Sequence, residues 1–145
     1  MGFTFSLETI LRFRLSIEDR ECLKLSDLMS QLHQLDARIE RIQSAIDQLK
    51  SGEMLSTSSA SAAELQHTAA CHENFRNVRK HLLIERTALE LGCKEQRERY
   101  RKARQEREIL ESLRERQLTI WTKQESRRER NAADDLYLLR RSQAK

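Results

Sequence analysis

The histidines and cysteines near the middle of the chain are the side chains best suited to chemistry. His67 and Cys71 are four residues apart, which would place them on one face of a helix, and His72 follows Cys71 directly. Imidazole and thiolate groups bind zinc, but a structural zinc site takes four ligands, and further ligands at a suitable spacing are missing. We therefore interpret these three residues as ordinary helix-surface residues and predict no metal site.

Catalytic motifs are also missing from the sequence. It contains no Gly-rich phosphate loop, no HExxH pair and no nucleophile elbow. The cysteines, Cys22, Cys71 and Cys93, form no CxxC pair, and their odd number argues against a closed set of disulfides and for a reducing compartment. Cys93 is expected to be a small apolar filler rather than a reactive thiol. The sequence therefore predicts neither an enzyme nor a cofactor.

Composition favours long helices over a thick globular core. The chain has 145 residues, of which 38% are hydrophobic, 34% charged and 5% aromatic, with three Gly and no Pro. At average usage a chain of this length would hold roughly seven Pro. Because Pro breaks helix interiors, its absence indicates an all-α protein, and the length indicates one domain over residues 1–145.

The first predicted helix, about residues 5–50, carries a coiled-coil seam. Apolar residues alternate at spacings of four and three, as in paired helices: Leu28, Leu32, Leu35, Ile39, Ile42, Ile46 and Leu49. Leu11, Leu15, Cys22 and Leu25 are expected to continue this seam upstream, with a phase slip near Met29. Ser6 is the expected N-cap, Glu8 lies in the first turn, and Gly52 is the expected left-handed residue after the last turn.

A Ser-rich stretch at 51–61 is predicted to connect this helix to a second one, about residues 62–141. Ser61 and Glu64 have the spacing of a capping box at its start, and no strong helix breaker follows, since Gly92 alone costs about 1 kcal/mol within the helix. Its predicted seam consists of Phe75, Leu82, Leu89, Cys93, Tyr100, Ala103 and Leu110, with Arg79, Arg86, Gln96 and Arg107 at the alternate positions.

The unequal helix lengths predict an overhang. At 1.5 Å per residue the helices span roughly 70 Å and roughly 120 Å. Folded as an antiparallel αα-hairpin with a turn near residue 56, they would place Phe5 opposite the neighbourhood of Arg107. The longer second helix would then continue past Arg107 without a partner helix.

The run KEQRERYRKARQERE, residues 94–108, could be a disordered linker, a nucleic-acid arm or a helix face. Glutamates interleave with its basic residues, and those carboxylates would repel phosphates. Pairs such as Glu95 with Arg99 have the spacing that supports a helix. We interpret the run as a solvated helix face and expect no nucleic-acid partner.

The N-terminal FTFSLETILRFR is amphipathic and basic, which would suit a membrane surface. The alternative, which we favour, is that Phe5, Ile10, Leu11 and Leu15 close the hairpin against the second helix. The sequence shows no signal peptide and no apolar span of about 20 residues, so we expect a cytoplasmic protein without direct membrane insertion.

The two ends of the chain resemble a known family. The pattern FxFxLExILRFRxxxE over Phe3–Glu18, and ARQEREILESLRERQ followed by ESRRERNAADDL near the C-terminus, are similar to the FliJ family of flagellar type III export proteins. The resemblance extends over nearly the whole chain. It implies an antiparallel two-helix coiled coil that inserts into the hexameric export ATPase, promotes its assembly and activity, contacts the export-gate membrane protein and escorts export chaperones. It also implies a location at the cytoplasmic face of the inner membrane.

The resemblance further implies two sets of protein-binding residues. The ATPase-facing tip would consist of Phe3, Phe5, Leu7, Leu11, Leu113, Arg114, Arg116, Arg128, Glu129, Asp134 and Asp135. A gate-facing stripe would consist of Phe75, Arg79, Leu82 and Arg86. The expected function is a non-enzymatic stalk of flagellar export; the alternatives are an injectisome stalk, a structural or adaptor coiled coil of another assembly, and a basic nucleic-acid-binding helix.

Overall fold

The chain folds into two long helices. The computed structural model describes residues 2–56 and 61–145, and over 53–56 it describes the backbone without the side chains. Helix α1 comprises Glu8–Ser56, with 49 residues, and α2 comprises Ala62–Gln143, with 82 residues. The helices pack against each other, and this confirms the predicted antiparallel αα-hairpin with a longer second helix.

Two compact units can be distinguished along the hairpin. The first unit contains residues 1–19 and 101–145, and the second unit contains residues 20–100. Each unit contains parts of both helices. That the whole chain forms one domain stays a prediction.

The start of α1 differs slightly from the prediction. The carbonyl of Leu7 accepts a hydrogen bond from the N–H of Leu11 at 2.9 Å, and the N–H of Glu8 donates to the carbonyl of Phe5 at 3.1 Å. Leu7 therefore takes the N-cap position that we predicted for Ser6. Glu8 lies in the first turn, where the helix dipole favours its carboxylate.

The end of α1 lies beyond Gly52. The helix continues to Ser56, and no glycine in the described part of the chain has a positive φ. The prediction that Gly52 ends the helix was wrong, because a glycine costs only about 1 kcal/mol inside a helix and does not stop it. The rest of the predicted connection, residues 57–60, lies outside the described residues.

The start of α2 confirms the predicted capping box. The N–H of Ser61 donates to Glu64 Oε2 at 3.1 Å, and the N–H of Glu64 donates to Ser61 Oγ at 3.3 Å. These reciprocal bonds satisfy two backbone donors that the first turn of a helix leaves without partners.

The second unit contains the apolar seam. The seven predicted seam residues of α1 between Leu28 and Leu49 are all buried or half-buried, with Leu35 and Ile46 the most enclosed. On α2, Leu82 and Cys93 are buried. Hydrophobic burial along this seam therefore stabilises the pairing of the two helices.

The first unit pairs the beginning of the chain with a later part of α2 than predicted. Phe5, Leu11 and Ala103 are buried, and the ring of Phe3 lies 6.1 Å from that of Trp121. The prediction that α2 lacks a partner after Arg107 was therefore wrong. Helix α1 ends at Ser56 and α2 begins at Ala62, so the midpoint between the helices comes later than the assumed residue 56. Each residue by which this midpoint moves shifts the residue opposite a given position by two.

Candidate protein-binding surfaces

Charged residues occupy the seam in the first part of α1. The alternating spacing of four and three continues without a slip through Leu11, Arg14, Glu18, Glu21, Leu25 and Leu28, all buried or half-buried. Leu15 and Cys22, which we predicted on the seam, are exposed. The prediction was wrong because it followed the apolar residues, whereas these seam positions hold polar side chains that bind partners on α2.

Ion pairs fix the two helices of the first unit against each other. Arg107 binds Glu18 through two hydrogen bonds, from Nε to Oε2 at 2.5 Å and from Nη2 to Oε1 at 3.2 Å. Arg14 Nη1 donates to Glu106 Oε2 at 2.5 Å. Since a two-point arginine–carboxylate bond has a strict geometry, these pairs specify which residues of α1 and α2 lie opposite each other.

Two further polar pairs lie in the second unit. The side-chain amide of Gln96 donates to the backbone carbonyl of Glu21 at 3.1 Å and also to the Glu21 carboxylate. Arg86 binds Asp36 across the helices and Glu90 along α2, the latter at 2.8 Å. The buried side chain of Gln96 is thus satisfied by α1.

The polar contacts shift three ionisation equilibria. The hydrogen bond from Gln96 lowers the pKa of Glu21, because it stabilises the carboxylate. The hydrogen bond to Glu18 raises the pKa of the Arg107 guanidinium, and the hydrogen bond to Asp36 raises the pKa of Arg86. Both arginines therefore stay charged, and Glu21 stays ionised at neutral pH.

An open groove lies where the beginning of the chain meets α2 in the first unit. Its lining residues are Gly2, Phe3, Thr4, Gln117, Ile120, Trp121, Gln124, Glu125 and Arg128. The first residues of the chain therefore lie along α2 as far as the neighbourhood of Arg128.

The residues predicted as an ATPase-facing tip divide into packed and exposed groups. Phe5 and Leu11 are buried, while Phe3, Leu7 and Leu113 are half-buried. Two arginines form ion pairs: Arg114 Nε lies 3.2 Å from Glu8 Oε2, and Arg128 Nη1 lies 3.6 Å from Glu125 Oε2. Arg116, Glu129, Asp134 and Asp135 are exposed. The exposed residues Arg116, Glu129, Asp134 and Asp135 are thus accessible to a partner, whereas Phe5 and Leu11 support the fold.

The end of α2 carries exposed apolar residues that sequence reasoning largely missed. Every residue from 129 to 145 is exposed. Leu136, Tyr137, Leu138 and Leu139 are between 57% and 65% exposed. Four consecutive apolar residues cannot all lie on one face of a helix, so a single partner helix could not bury them. This feature of DDLYLLRR is the sequence signal that could have indicated an uncovered helix end.

The predicted gate-facing stripe lies partly on the inner seam. Leu82 is buried, Phe75 and Arg86 are half-buried, and Arg79 is exposed. Arg86 is also bound to Asp36. A partner would therefore reach Arg79 and the edge of Phe75, and the role of the stripe stays a prediction.

Metal-binding and membrane-spanning features give no alternative site in the described residues. Cys71 Sγ lies 3.8 Å from His67 Nε2, but no three His, Cys, Asp or Glu side chains in the described part of the chain group together as metal ligands. Within the same residues, no helix carries an apolar stretch long enough to cross a bilayer.

The chain was compared with known protein families, curated proteins and solved structures. The family model described as Flagellar FliJ protein matches residues 3–145. No curated protein and no solved structure matches the chain.

Proposed function

We propose a function for this chain from one established premise: it belongs to the FliJ family of flagellar proteins, and so is a coiled-coil protein related to flagellar export. The proposal is that the chain is a non-enzymatic stalk, which enters the ring of the export ATPase and promotes the assembly and activity of that ring. It would do so without a cofactor or a catalytic site of its own.

The uncovered end of α2 is the observation that carries the proposal. Residues 129–145 are all exposed, and α2 remains helical as far as Gln143. An isolated helix of this length is marginal in water, but continuity with the packed part of α2 removes the cost of nucleation. Such a helix end offers both charged and apolar side chains to a surrounding partner.

The distribution of charge suits a shaft inside a ring. Both signs of charge occur along the end of α2: Glu129 lies between Arg128 and Arg130, Asp134 and Asp135 follow, and Arg140 and Arg141 come after the apolar residues 136–139. Exposed ion pairs contribute little energy each, so the contacts with the ring would be weak and reversible rather than locking. A stalk that has to move relative to its ring requires a surface of this mixed charge, which binds the ring only weakly.

The same proposal assigns the remaining partners. The chain would contact the export-gate membrane protein through the stripe of Phe75, Arg79, Leu82 and Arg86, with Arg79 as its exposed member. It would also escort export chaperones. Its place would be the cytoplasm, at the cytoplasmic face of the inner membrane, where these partners meet.

Reconstitution with the export ATPase of the same organism tests the proposal. We expect the intact chain to increase ATP hydrolysis and the fraction of hexamers seen by mass photometry. We expect a chain that ends at Arg130 to bind and stimulate much less, because it lacks the exposed end of α2. Asp27→Lys, a charge reversal at an exposed position of the second unit, is the matched control and should behave as the intact chain. Equal stimulation by the shortened chain would overturn the proposed role of that end.

A further inference from the structure

The two edges of the first unit differ in chemistry. In an antiparallel pair, the residues that directly precede seam residues of both helices lie on one edge, and the residues that directly follow them lie on the other. In the first unit the seam spacing passes through Leu11, Arg14 and Glu18 on α1 and continues on α2 through Ala103, Arg107, Leu110, Arg114, Gln117, Trp121 and Gln124. The residues that directly precede these positions include Ile10, Phe13, Ile17, Ile109, Leu113 and Ile120. We call this set the apolar edge.

The apolar edge is accessible. Phe13 is 61% exposed, Ile109 68%, Ile120 56% and Ile10 46%. These are large apolar side chains in contact with water on both helices of one unit, which marks an interaction surface rather than scattered surface residues.

The charges on the apolar edge have one dominant sign. Lys102, Arg116 and Lys123 also directly precede seam residues and are exposed. The one carboxylate in this set is Glu106, which is bound to Arg14. Among the residues that the structure describes, Lys102, Arg116 and Lys123 form no ion pair.

The opposite edge is rich in carboxylates, and several of them form ion pairs. The residues that directly follow seam residues include Glu8, Asp19, Glu108, Glu111, Glu115 and Glu125. Glu8 binds Arg12 and Arg114, and Glu108 binds Arg104 at 3.0 Å. The contrast between the two edges shows that the positive charge around the apolar edge is local and does not reflect the whole unit.

The spacing on the apolar edge is that of a second helix seam. Ile109, Leu113, Arg116 and Ile120 follow one another at intervals of four, three and four residues, and Ile10, Phe13 and Ile17 at intervals of three and four. The residues have this spacing because each directly precedes a seam residue, and it places them in one continuous stripe along each helix, against which a further helix can pack. From Ile109 to Ile120 the stripe extends about 16 Å, or three helical turns.

We propose that the apolar edge binds an amphipathic helix of a partner protein, in which an apolar stripe is flanked by carboxylates. The stripe packs between Ile10, Phe13 and Leu113, and the carboxylates face Lys102, Arg116 and Lys123. This surface lies before the uncovered end of α2, and the inference does not depend on the stalk function proposed above.

A pair of synthetic peptides tests this inference. The acidic peptide is a capped 21-residue helix, of about three heptads, with Leu at alternating spacings of three and four and Glu beside them; the basic peptide has Lys in place of each Glu. By fluorescence anisotropy, we expect the intact chain to bind the acidic peptide at least about tenfold more tightly than the basic one, because opposite charges attract across an interface.

Variants separate docking from folding. Phe13→Asp should abolish binding of the acidic peptide, whereas Leu23→Asp, at a 68% exposed position of the second unit, should not change it. The triple variant K102E/R116E/K123E alters no packed residue and should prefer the basic peptide. Circular dichroism of each variant verifies that it remains helical.

Three results would overturn the inference. The first is a loss of the predicted charge preference: the intact chain binds both peptides equally, or the triple variant still prefers the acidic peptide. The second is sedimentation with vesicles of phosphatidylserine and phosphatidylcholine that Phe13→Asp abolishes, since that would make the edge a membrane surface. The third is self-association in light scattering that depends on Phe13, which would make the occupant a second copy of the chain.

Discussion

Two shortened chains, one ending at Arg130 and the other at Arg107, separate the uncovered end of α2 from the part that packs. The first keeps every contact of the first unit described above, because the residues removed are all exposed. The second removes the partners of the N-terminal segment, including Arg114 and Trp121.

The expected loss of stability follows from the contacts removed. Ending the chain at Arg107 removes half-buried Leu110 and Trp121, each about 1 kcal/mol for partial burial. The Phe3–Trp121 pair contributes about 1 kcal/mol, and the half-exposed Arg114–Glu8 pair about 0.5 kcal/mol. The free energy of unfolding should therefore fall by about 3–4 kcal/mol. Ending the chain at Arg130 should change it by no more than about 0.5 kcal/mol, the usual effect of changes at exposed positions.

Urea unfolding followed by circular dichroism at 222 nm measures both values. The chain ending at Arg130 should keep the midpoint of the intact chain, with a modest loss of helical signal. The chain ending at Arg107 should unfold at clearly lower urea. A loss of more than about 1.5 kcal/mol in the chain ending at Arg130 would contradict the uncovered end of α2. No loss in the chain ending at Arg107 would refute the pairing of the N-terminal segment with α2 up to Trp121.

Three further predictions concern single contacts. A double-mutant cycle with Glu18→Gln and Arg107→Gln should give a coupling of about 1 kcal/mol in unfolding experiments, falling with added salt; no coupling would contradict the pair. Because the hydrogen bond from Gln96 lowers the pKa of Glu21, its stabilising effect is present above the ordinary glutamate pKa and lost as pH falls through the lowered one. Glu21→Gln should thus be less stable than the intact chain at pH 7, and the difference should close in acid. Ser61→Ala should cost about 1 kcal/mol in thermal or urea unfolding, since it removes the cap of α2, and an unchanged stability would mean that the capping box is not formed in solution.

The apolar seam and the start of α2 could be predicted because short-range rules decide them. Spacings of four and three from Leu28 to Leu49 leave one helix face for burial, and the structure buries that face. The Ser61–Glu64 box contains its own donors and acceptors, so its local sequence suffices to specify it.

The seam near Glu18 could not be predicted from apolar periodicity. There the seam positions hold Arg14, Glu18 and Glu21, whose partners lie about 75 to 92 residues away on α2. From the sequence alone, a charged residue is expected on the surface unless its partner is known. The predicted seam therefore contained Leu15, which is exposed, in place of Arg14. The turn assumed near residue 56 had the larger effect, because α1 continues to Ser56 and α2 begins only at Ala62, which moves the pairing of the whole N-terminal segment along α2.

The residue at which the uncovered end of α2 begins could not be predicted either. The sequence after Arg128 has no periodic apolar face, and Leu136, Tyr137, Leu138 and Leu139 point around the helix. The position of Phe3 beside Trp121, and the groove that Gly2 forms with residues up to Arg128, define where α2 loses its partner. Of the predicted tip, Glu129, Asp134 and Asp135 lie beyond that point and are exposed.

Cryo-electron microscopy of the export ATPase ring, assembled with the intact chain, tests the stalk function most directly. The proposal predicts helical density on the axis of the ring, with residues 129–143 of α2 inside the pore and the paired helices of the hairpin outside it. A ring whose pore is empty while the chain is bound to its outer surface, or not bound at all, would contradict it.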